Sequence, residues 1–329
     1  MQRQMHRYEA ACYHMSYGPH KPVLWLRSGD TLVVRTLDAG GRDERGRRVS
    51  LRRLCQGPGE LRSAANPLVG PFGVEEAQPG DALAIHIEQI RITRSTAWSA
   101  FLPHFGCFTD EVPGRLMQLL PPVRERRCLW RLDLRRMQAT LRMPRSRIRM
   151  ATIPLHPFIG SIGVAPRWGR VELSLTPGEY GGNMDCPETS AGSTLILPVF
   201  VAGGLLSLGD VHAAQGDGEI CGVALETTAE VRLRIERLPK ARIEWPRLYN
   251  NDYIVTIGCA RPLLEAFKIA HREMLGWLVR DYGFHRDDAL QLLSQVGRTR
   301  IGNVCDPNYC VAAKFPRRLL PPSPAGGKK

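Results

Sequence analysis

The sequence has no closely spaced cysteine pair: Cys12, Cys55, Cys107, Cys128, Cys186, Cys221, Cys259, Cys305 and Cys310 are scattered singly through 329 residues, with no CxxC among them. An odd, dispersed set fits reduced thiols better than a disulfide framework or a four-cysteine zinc site. No apolar run follows the basic residues Arg3 and Arg7, so neither a signal peptide nor a membrane helix is legible, and a cytoplasmic protein without a membrane partner is expected. Missing too are a G-x-G-x-x-G turn between strand and helix, a Walker loop, a G-x-S-x-G elbow and an H-E-x-x-H helix. Their absence argues against dinucleotide enzymes, P-loop NTPases, serine hydrolases of the elbow type and zincin proteases, and no organic cofactor is expected.

What is present is ordinary globular material, 43% hydrophobic and 23% charged, with no low-complexity tract dominating. The length exceeds the usual single core. It predicts one unit over residues 1–320, or two intimate lobes at about 1–150 and 151–320, followed by a polar tail at 321–329 that is expected not to pack. The net charge is +13. Arginines are densest from Arg124 to Arg149 and return at Arg232, Arg234 and Arg237, where they alternate with apolar residues as on the wet face of a strand. Solvated faces explain this pattern without a nucleic-acid partner; the alternative is a non-catalytic basic β protein that binds a polyanion.

Runs rich in branched residues at Val23–Trp25, Thr31–Thr36 and Asp81–Ile92 are bounded by turn residues, Ser28-Gly-Asp and Gln78-Pro-Gly-Asp. Leu83, Ile85 and Ile87 fall on one face of the third run, with His86 and Glu88 on the other. Thr194–Val201 and Ile220–Leu225 read as shorter strands, and Gly40–Arg48 and Ala97–Gly114 as long loops. Leu263, Phe267, Ala270, Met274 and Leu278 recur at helical spacing, and a second helix is expected from Asp287 onward, with its aspartates at the positive end. The fold class is therefore mainly β (α+β), with sandwich- or barrel-like lobes and C-terminal helices packed on them.

Chemistry concentrates in two glycine-rich loops. Gly209-Asp-Val-His-Ala-Ala-Gln-Gly-Asp-Gly-Glu219 sets Asp210, His212, Gln215, Asp217 and Glu219 close together, as ligands or acid/base groups. The same acids could equally cap turns. Gly178-Glu-Tyr-Gly-Gly-Asn-Met-Asp185 could present Gly181, Gly182 and Asn183 to an oxyanion. Cys186 beside it, and Cys221, are candidate nucleophiles only if a base lies near.

Taken in order, Gly181-Gly-Asn-Met-Asp185, Ala191-Gly-Ser-Thr-Leu-Ile-Leu-Pro-Val199, Gly203-Gly-Leu-Leu-Ser-Leu-Gly-Asp210, His212 and Gln215-Gly-Asp-Gly-Glu-Ile-Cys-Gly222 resemble the acetamidase/formamidase family. Supporting blocks are Ser28-Gly-Asp-Thr, Asn66-Pro-Leu-Val-Gly-Pro71 and Val74-Glu-Glu-Ala-Gln-Pro-Gly-Asp81. Asn66 stands where the resemblance leads one to expect histidine, and Glu76 where glycine is usual. The resemblance implies a mostly β fold, a small formamide- or acetamide-like substrate and a homo-oligomer. On it rests the expected mechanism: water activated by a carboxylate or by a divalent ion, zinc or calcium, on Asp38, Asp185, Asp210 and His212. Glu219, Asp217 or Glu75 would handle protons, and Gly181, Gly182, Asn183 and Gln215 would hold the substrate and its oxyanion. A cysteine-dependent, metal-free amidase is the alternative.

Overall fold

A computed structural model describes residues 3–50, 55, 66–103, 105–108 and 124–321. Among the described residues, strand holds 42% and helix 13%. The expected tail at 321–329 and the end of the expected loop at Ala97–Gly114 lie, but for Pro321 and the residues up to 103 and from 105 to 108, outside the described residues.

Two large sheets face each other. The first has nine strands in the order Met5–Tyr8, Thr31–Arg35, Ala229–Leu238, Ala82–Ile92, Thr194–Pro198, Arg247–Tyr249, Tyr253–Ala260, Tyr309–Pro316 and Arg298–Ile301. Its centre shows why these residues form strands. In Ala229–Leu238 every second residue, Val231, Leu233 and Ile235, is buried, while Arg232 and Arg234 reach Glu88 at 2.8 and 3.5 Å on the wet face. The expected alternation in Ala82–Ile92 also holds, with Leu83, Ile85 and Ile87 buried. These side chains meet Leu68, Val69, Phe72, Ile159, Ile162, Leu206 and Leu208 of the second sheet in one apolar core. Truncating one of them, such as Ile85 to alanine, is expected to cost about 2–5 kcal/mol.

The second sheet runs Arg149–Pro154, Gln138–Met143, Arg126–Asp133, Thr96–Phe101, Glu226–Thr227, Leu206–His212, Phe158–Gly163 and Gly181–Asn183, with Leu68–Val74 also paired to Leu206–His212 and Leu24–Leu26 to Leu68–Val74. Both sheets draw strands from either side of residue 150. Two α-helices occur among the described residues. α1 (Leu263–Tyr282) lays Ala266, Ala270, Met274 and Leu278 on Ile254, Val311 and Phe315 of the first sheet, and ends at Gly283 in the left-handed conformation (φ 71°). α2 (Arg286–Val296) opens with Asp287 and Asp288 in its first turn, as its sequence predicts. No helix among the described residues is long and apolar enough to cross a membrane.

Four expectations need correction. Leu206–His212 is a strand buried at every position, not the start of a loop; a strand covered on both faces loses the alternation by which strands are read. Ile220–Leu225 is not a strand, the local strand being Glu226–Thr227, and Thr96–Phe101 within the expected long loop is one. Cys12 and Cys55 form a disulfide, 43 residues apart in sequence, because the fold brings together two thiols that spacing alone does not pair.

Candidate active site

Strand geometry builds the site. Residues two apart on a strand share a face, so Leu206–His212 directs Asp210 and His212 to the same side. Glu226 lies directly across from His212 on the neighbouring strand. Asp185 follows the short strand Gly181–Asn183, Glu219 sits in the turn after Gly216, and Asp306 comes from the loop before Tyr309–Pro316. All six side chains are buried. His212 Nε2 stands 3.3 Å from Asp210 Oδ2, 3.5 Å from Glu226 Oε1 and 3.9 Å from Asp185 Oδ1.

Backbone strain accompanies the convergence. Asp185, Asp210 and Glu219 take φ of 46, 53 and 47°, the left-handed region that non-glycine residues enter at a cost of about 1–3 kcal/mol each. Gly160 makes room for them: a Cβ there would lie 2.8 Å from the Asp210 carbonyl oxygen and 2.9 Å from carboxylate oxygens of Asp185 and Asp210.

Amide side chains tie the carboxylates together. Asn183 Nδ2 donates to Asp185 Oδ2 at 2.8 Å and Asp306 Oδ2 at 2.7 Å, while its Oδ1 accepts from Ser161 and from Asn66. Asn66 Nδ2 also donates to Asp210 Oδ2 at 2.7 Å, and Asn303 Nδ2 to Asp185 Oδ2 at 3.1 Å. Gln215 fixes the histidine. Its Nε2 donates to the carbonyls of Asp185 (2.9 Å) and Gly302 (2.8 Å), so its Oε1 must accept from His212 Nδ1–H at 2.8 Å. That assignment leaves Nε2 as the nitrogen facing the acids.

Burial shapes the titration. It pushes Asp185 and Glu226 well above the usual carboxylate range, Glu219 to about 7 and Asp306 to about 8. Burial pulls His212 down, but Glu226 and Asp210 outweigh it and hold the imidazole well above its ordinary value. Cys305 Sγ lies 3.7 Å from Glu219 Oε2, and burial pushes that thiol up.

Every N–H of Asn66, Asn183 and Gln215 is committed, so none of these amides is spare to hold an oxyanion. Asp185 Oδ1, Asp210 Oδ1 and Glu226 Oε2 are buried without a hydrogen-bond partner, and sets such as Asp185–Asp210–His212 and His212–Glu219–Glu226 each keep their ligand atoms within 4.8 Å of one another. Carboxylate oxygens and one imidazole nitrogen suit a divalent cation.

Of the residues singled out in the sequence, Asp185, Asn183, Asp210, His212, Gln215 and Glu219 come together; seven others do not. Asp38 is buried but held by Arg94 at 2.7 Å and Trp98 Nε1 at 2.9 Å, outside the acid cluster. Glu75 and Asp217 are about half exposed and face Arg27 and Arg300 at 3.6 and 3.3 Å, as surface acids do when no fold element buries them. Gly181 N–H bonds to Gly178, and Gly181 and Gly182 are glycines because a Cβ would meet Ile162 O at 2.5 Å and Thr176 O at 2.4 Å. Cys186 is wholly buried, its thiol pushed up by burial, and Cys221 is also pushed up; neither is an activated nucleophile. Sequence reasoning gave no role to Glu226, Asp306, Asn303 or Asn66. The nearest signal was the acid in Asn303-Val-Cys-Asp306.

The cluster opens on a cavity of about 500 Å³, whose wall includes Asn66, Asn183, Asp210, His212, Glu219, Glu226 and Asp306. Residues 172–320 match the sequence model of the Acetamidase/Formamidase family. The crystal structure of an acetamidase from Yersinia enterocolitica superposes with a TM-score of 0.83 at 34% identity, covering 98% of this chain and 94% of that one. An acetamidase from Bacillus halodurans gives 0.78 at 26% identity, covering 95% and 97%. A formamidase from Methylophilus methylotrophus is 28% identical over 218 residues, 51% of this chain and 50% of that protein. The chain spans about half the length of the curated formamidases it matches. With a fold shared along nearly its whole length at that identity, the chain belongs to the acetamidase/formamidase family.

Proposed function

We propose that the chain hydrolyses the C–N bond of a linear amide to a carboxylate and ammonia. The observation that carries this reading is Glu219, a buried carboxyl held near 7 on the cavity wall beside His212 and an electron-rich pocket of acids. An acid poised near neutrality can take a proton from water and return it to a leaving nitrogen, and such groups contribute typically 10²–10⁴-fold.

Asp185, Asp210, Glu226 and His212 would hold a divalent ion. Oxygens combined with an imidazole favour zinc over calcium, which prefers six to eight oxygen ligands. A bound ion would polarise the amide carbonyl and acidify water. Asn66, its Nδ2 anchored on Asp210 and Asn183, offers Oδ1 to the substrate N–H and so orients the amide. Glu219 receives the proton as water adds to the carbonyl carbon. It then protonates the nitrogen, the C–N bond breaks, and ammonia leaves. Cys305 keeps the Glu219 carboxyl in place.

The chain is also expected to work as a homo-oligomer: the edge strand Arg149–Pro154, which carries the exposed Met150 and follows the exposed Ile148, has one open side among the described residues. The test is ammonia release from a panel of amides, with and without prior chelation, in the wild type and Glu219→Gln. Loss of at least about a hundredfold in a folded variant is expected; activity within a few fold of wild type removes Glu219 from the reaction.

A further inference from the structure

The cavity is much larger than formamide or acetamide needs. At ~30 Å³ for each water-sized volume, those amides occupy on the order of 100 Å³, against about 500 Å³. Beyond the acid cluster the wall is apolar and aromatic, formed by Tyr13, Met15, Leu37, Trp98, Leu102 and Phe105. A wall of this kind gains from covering apolar surface and offers nothing to a ligand of three or four atoms.

Trp98 is a fixed part of that wall. Its Nε1–H donates to Asp38, which Arg94 holds from another side, so the indole cannot swing away without stripping a buried carboxylate of a donor. Asp38 thus acts on the cavity through Trp98. Two arginines, Arg48 and Arg127, line the same cavity. Among the described residues neither has an ion-pair partner, and Arg127 stacks on the Trp98 ring at 4.4 Å. The carboxyl groups of the cluster repel an anionic substituent and the two arginines attract it.

We propose that this site selects amides whose acyl part is a bulky apolar group ending in an anionic substituent, the apolar body lying on Trp98 and Phe105 and the anion on Arg127 and Arg48. The inference rests on the amide-hydrolysis reading of the same site and goes beyond it in naming the substrate class.

The test compares kcat/KM of the full chain for acetamide, hexanamide, phenylacetamide and 4-carboxyphenylacetamide, alongside calorimetric binding of the same amides. About fourfold is expected per buried methylene, which makes hexanamide more than a hundredfold better than acetamide. The carboxylate adds a further tenfold or more over phenylacetamide. In Arg127→Gln the ratio between the carboxylated and plain aromatic amides falls to within about threefold of unity. Trp98→Ala lowers phenylacetamide turnover more than acetamide turnover. Acetamide as the best substrate overturns the inference and leaves amide hydrolysis standing. Turnover of none of the amides would refute amide hydrolysis, and binding then decides separately: tenfold tighter binding of 4-carboxyphenylacetamide than phenylacetamide, lost in Arg127→Gln, upholds the class of ligand, and equal weak binding of all four overturns it.

Discussion

Replacing Gln215 with leucine removes three hydrogen bonds at once: those to the carbonyls of Asp185 and Gly302, and the one that accepts His212 Nδ1–H. Each buried group left unpaired costs about 1–3 kcal/mol, and the apolar replacement recovers part of this, so a net loss of roughly 3 kcal/mol is expected. The effect on the site is larger than the effect on the fold. With no acceptor opposite Nδ1, the imidazole is free to place its proton on Nε2, which then points a donor at the acids in place of a lone pair at a cation. Partners of this kind, which hold a ligand and not the ion itself, typically change metal affinity or activity 10–100-fold. Urea denaturation gives the stability and ammonia release gives kcat/KM; ¹⁵N shifts of the His212 ring give the protonated nitrogen. Gln215→Glu is the control, keeping an acceptor for Nδ1–H while losing both amide donors; it should retain the wild-type ring signature although it is destabilised. A leucine variant with Nδ1 still protonated and kcat/KM within threefold of wild type would refute the reasoning.

The remaining predictions concern the frame, the packing and the ion. Asp81 accepts from Gln78 N at 3.0 Å, Arg237 Nε at 2.8 Å and Lys240 N at 2.9 Å; burial raises its pKa, but these donors outweigh it and hold the carboxyl below its usual value. Asp81→Asn should therefore cost about 2–4 kcal/mol near neutral pH, and because that stabilisation is present above an unfolded pKa of about 3.9 and lost as pH falls through the lower folded value, the gap should close in acid; denaturation curves showing a gap undiminished at pH 2 speak against it. Gly160→Ala pushes a methyl against Asp185 and Asp210, and misplacement of such groups should lower kcat/KM at least about tenfold with a stability loss of 1–3 kcal/mol. Chelation should lower the melting temperature of the purified protein, and zinc at ~100 times its Kd should restore about 2.7 kcal/mol, an effect that Asp210→Asn abolishes; equal melting temperatures with and without chelator contradict the cation site.

What the sequence disclosed follows from what each segment touches. Ala229–Leu238 was readable because one face is wet, so its arginines mark the alternation, and α1 because its stripe of Ala266, Ala270, Met274 and Leu278 covers only one side of the helix. Leu206–His212 was not, being buried on both faces with Gly209 pressed against the Pro67 carbonyl, where a Cβ would stand at 2.3 Å. Within the site, Asp210, His212, Gln215 and Glu219 were visible because they lie within ten residues of one another. Asp306 arrives from a distant loop and carries no local pattern. Asp38 shows the opposite failure: an aspartate of the right chemistry, directed elsewhere by Arg94 and Trp98. Glu76 shows that a departure at one position can be purely conformational, since it takes φ 60° where a glycine fits without strain.

Five buried carboxyl groups around one histidine set function against stability. The net charge of +13 does not neutralise them, because exposed arginines act through solvent that screens beyond ~8–10 Å. Compensation has to be local, by His212, by protons or by a cation. Asp306 exposes this conflict most directly: burial and Glu219 push it up to about 8, so in the absence of a cation the fold opposes its ionisation, and stability drains away as pH rises from the unfolded carboxyl value toward 8. Asp306→Asn keeps an oxygen that can accept from Asn183 Nδ2 and removes the charge. In chelated protein at pH 8 this variant should be more stable than the wild type by about 0.5–2 kcal/mol, the range seen when a strained functional group is relieved, while its turnover of any amide falls. If Asp306→Asn were instead destabilising at pH 8 in the absence of divalent ions, the acid cluster would be held by its hydrogen bonds more strongly than it is opposed by its charge, and the need for a cation would lose its electrostatic basis.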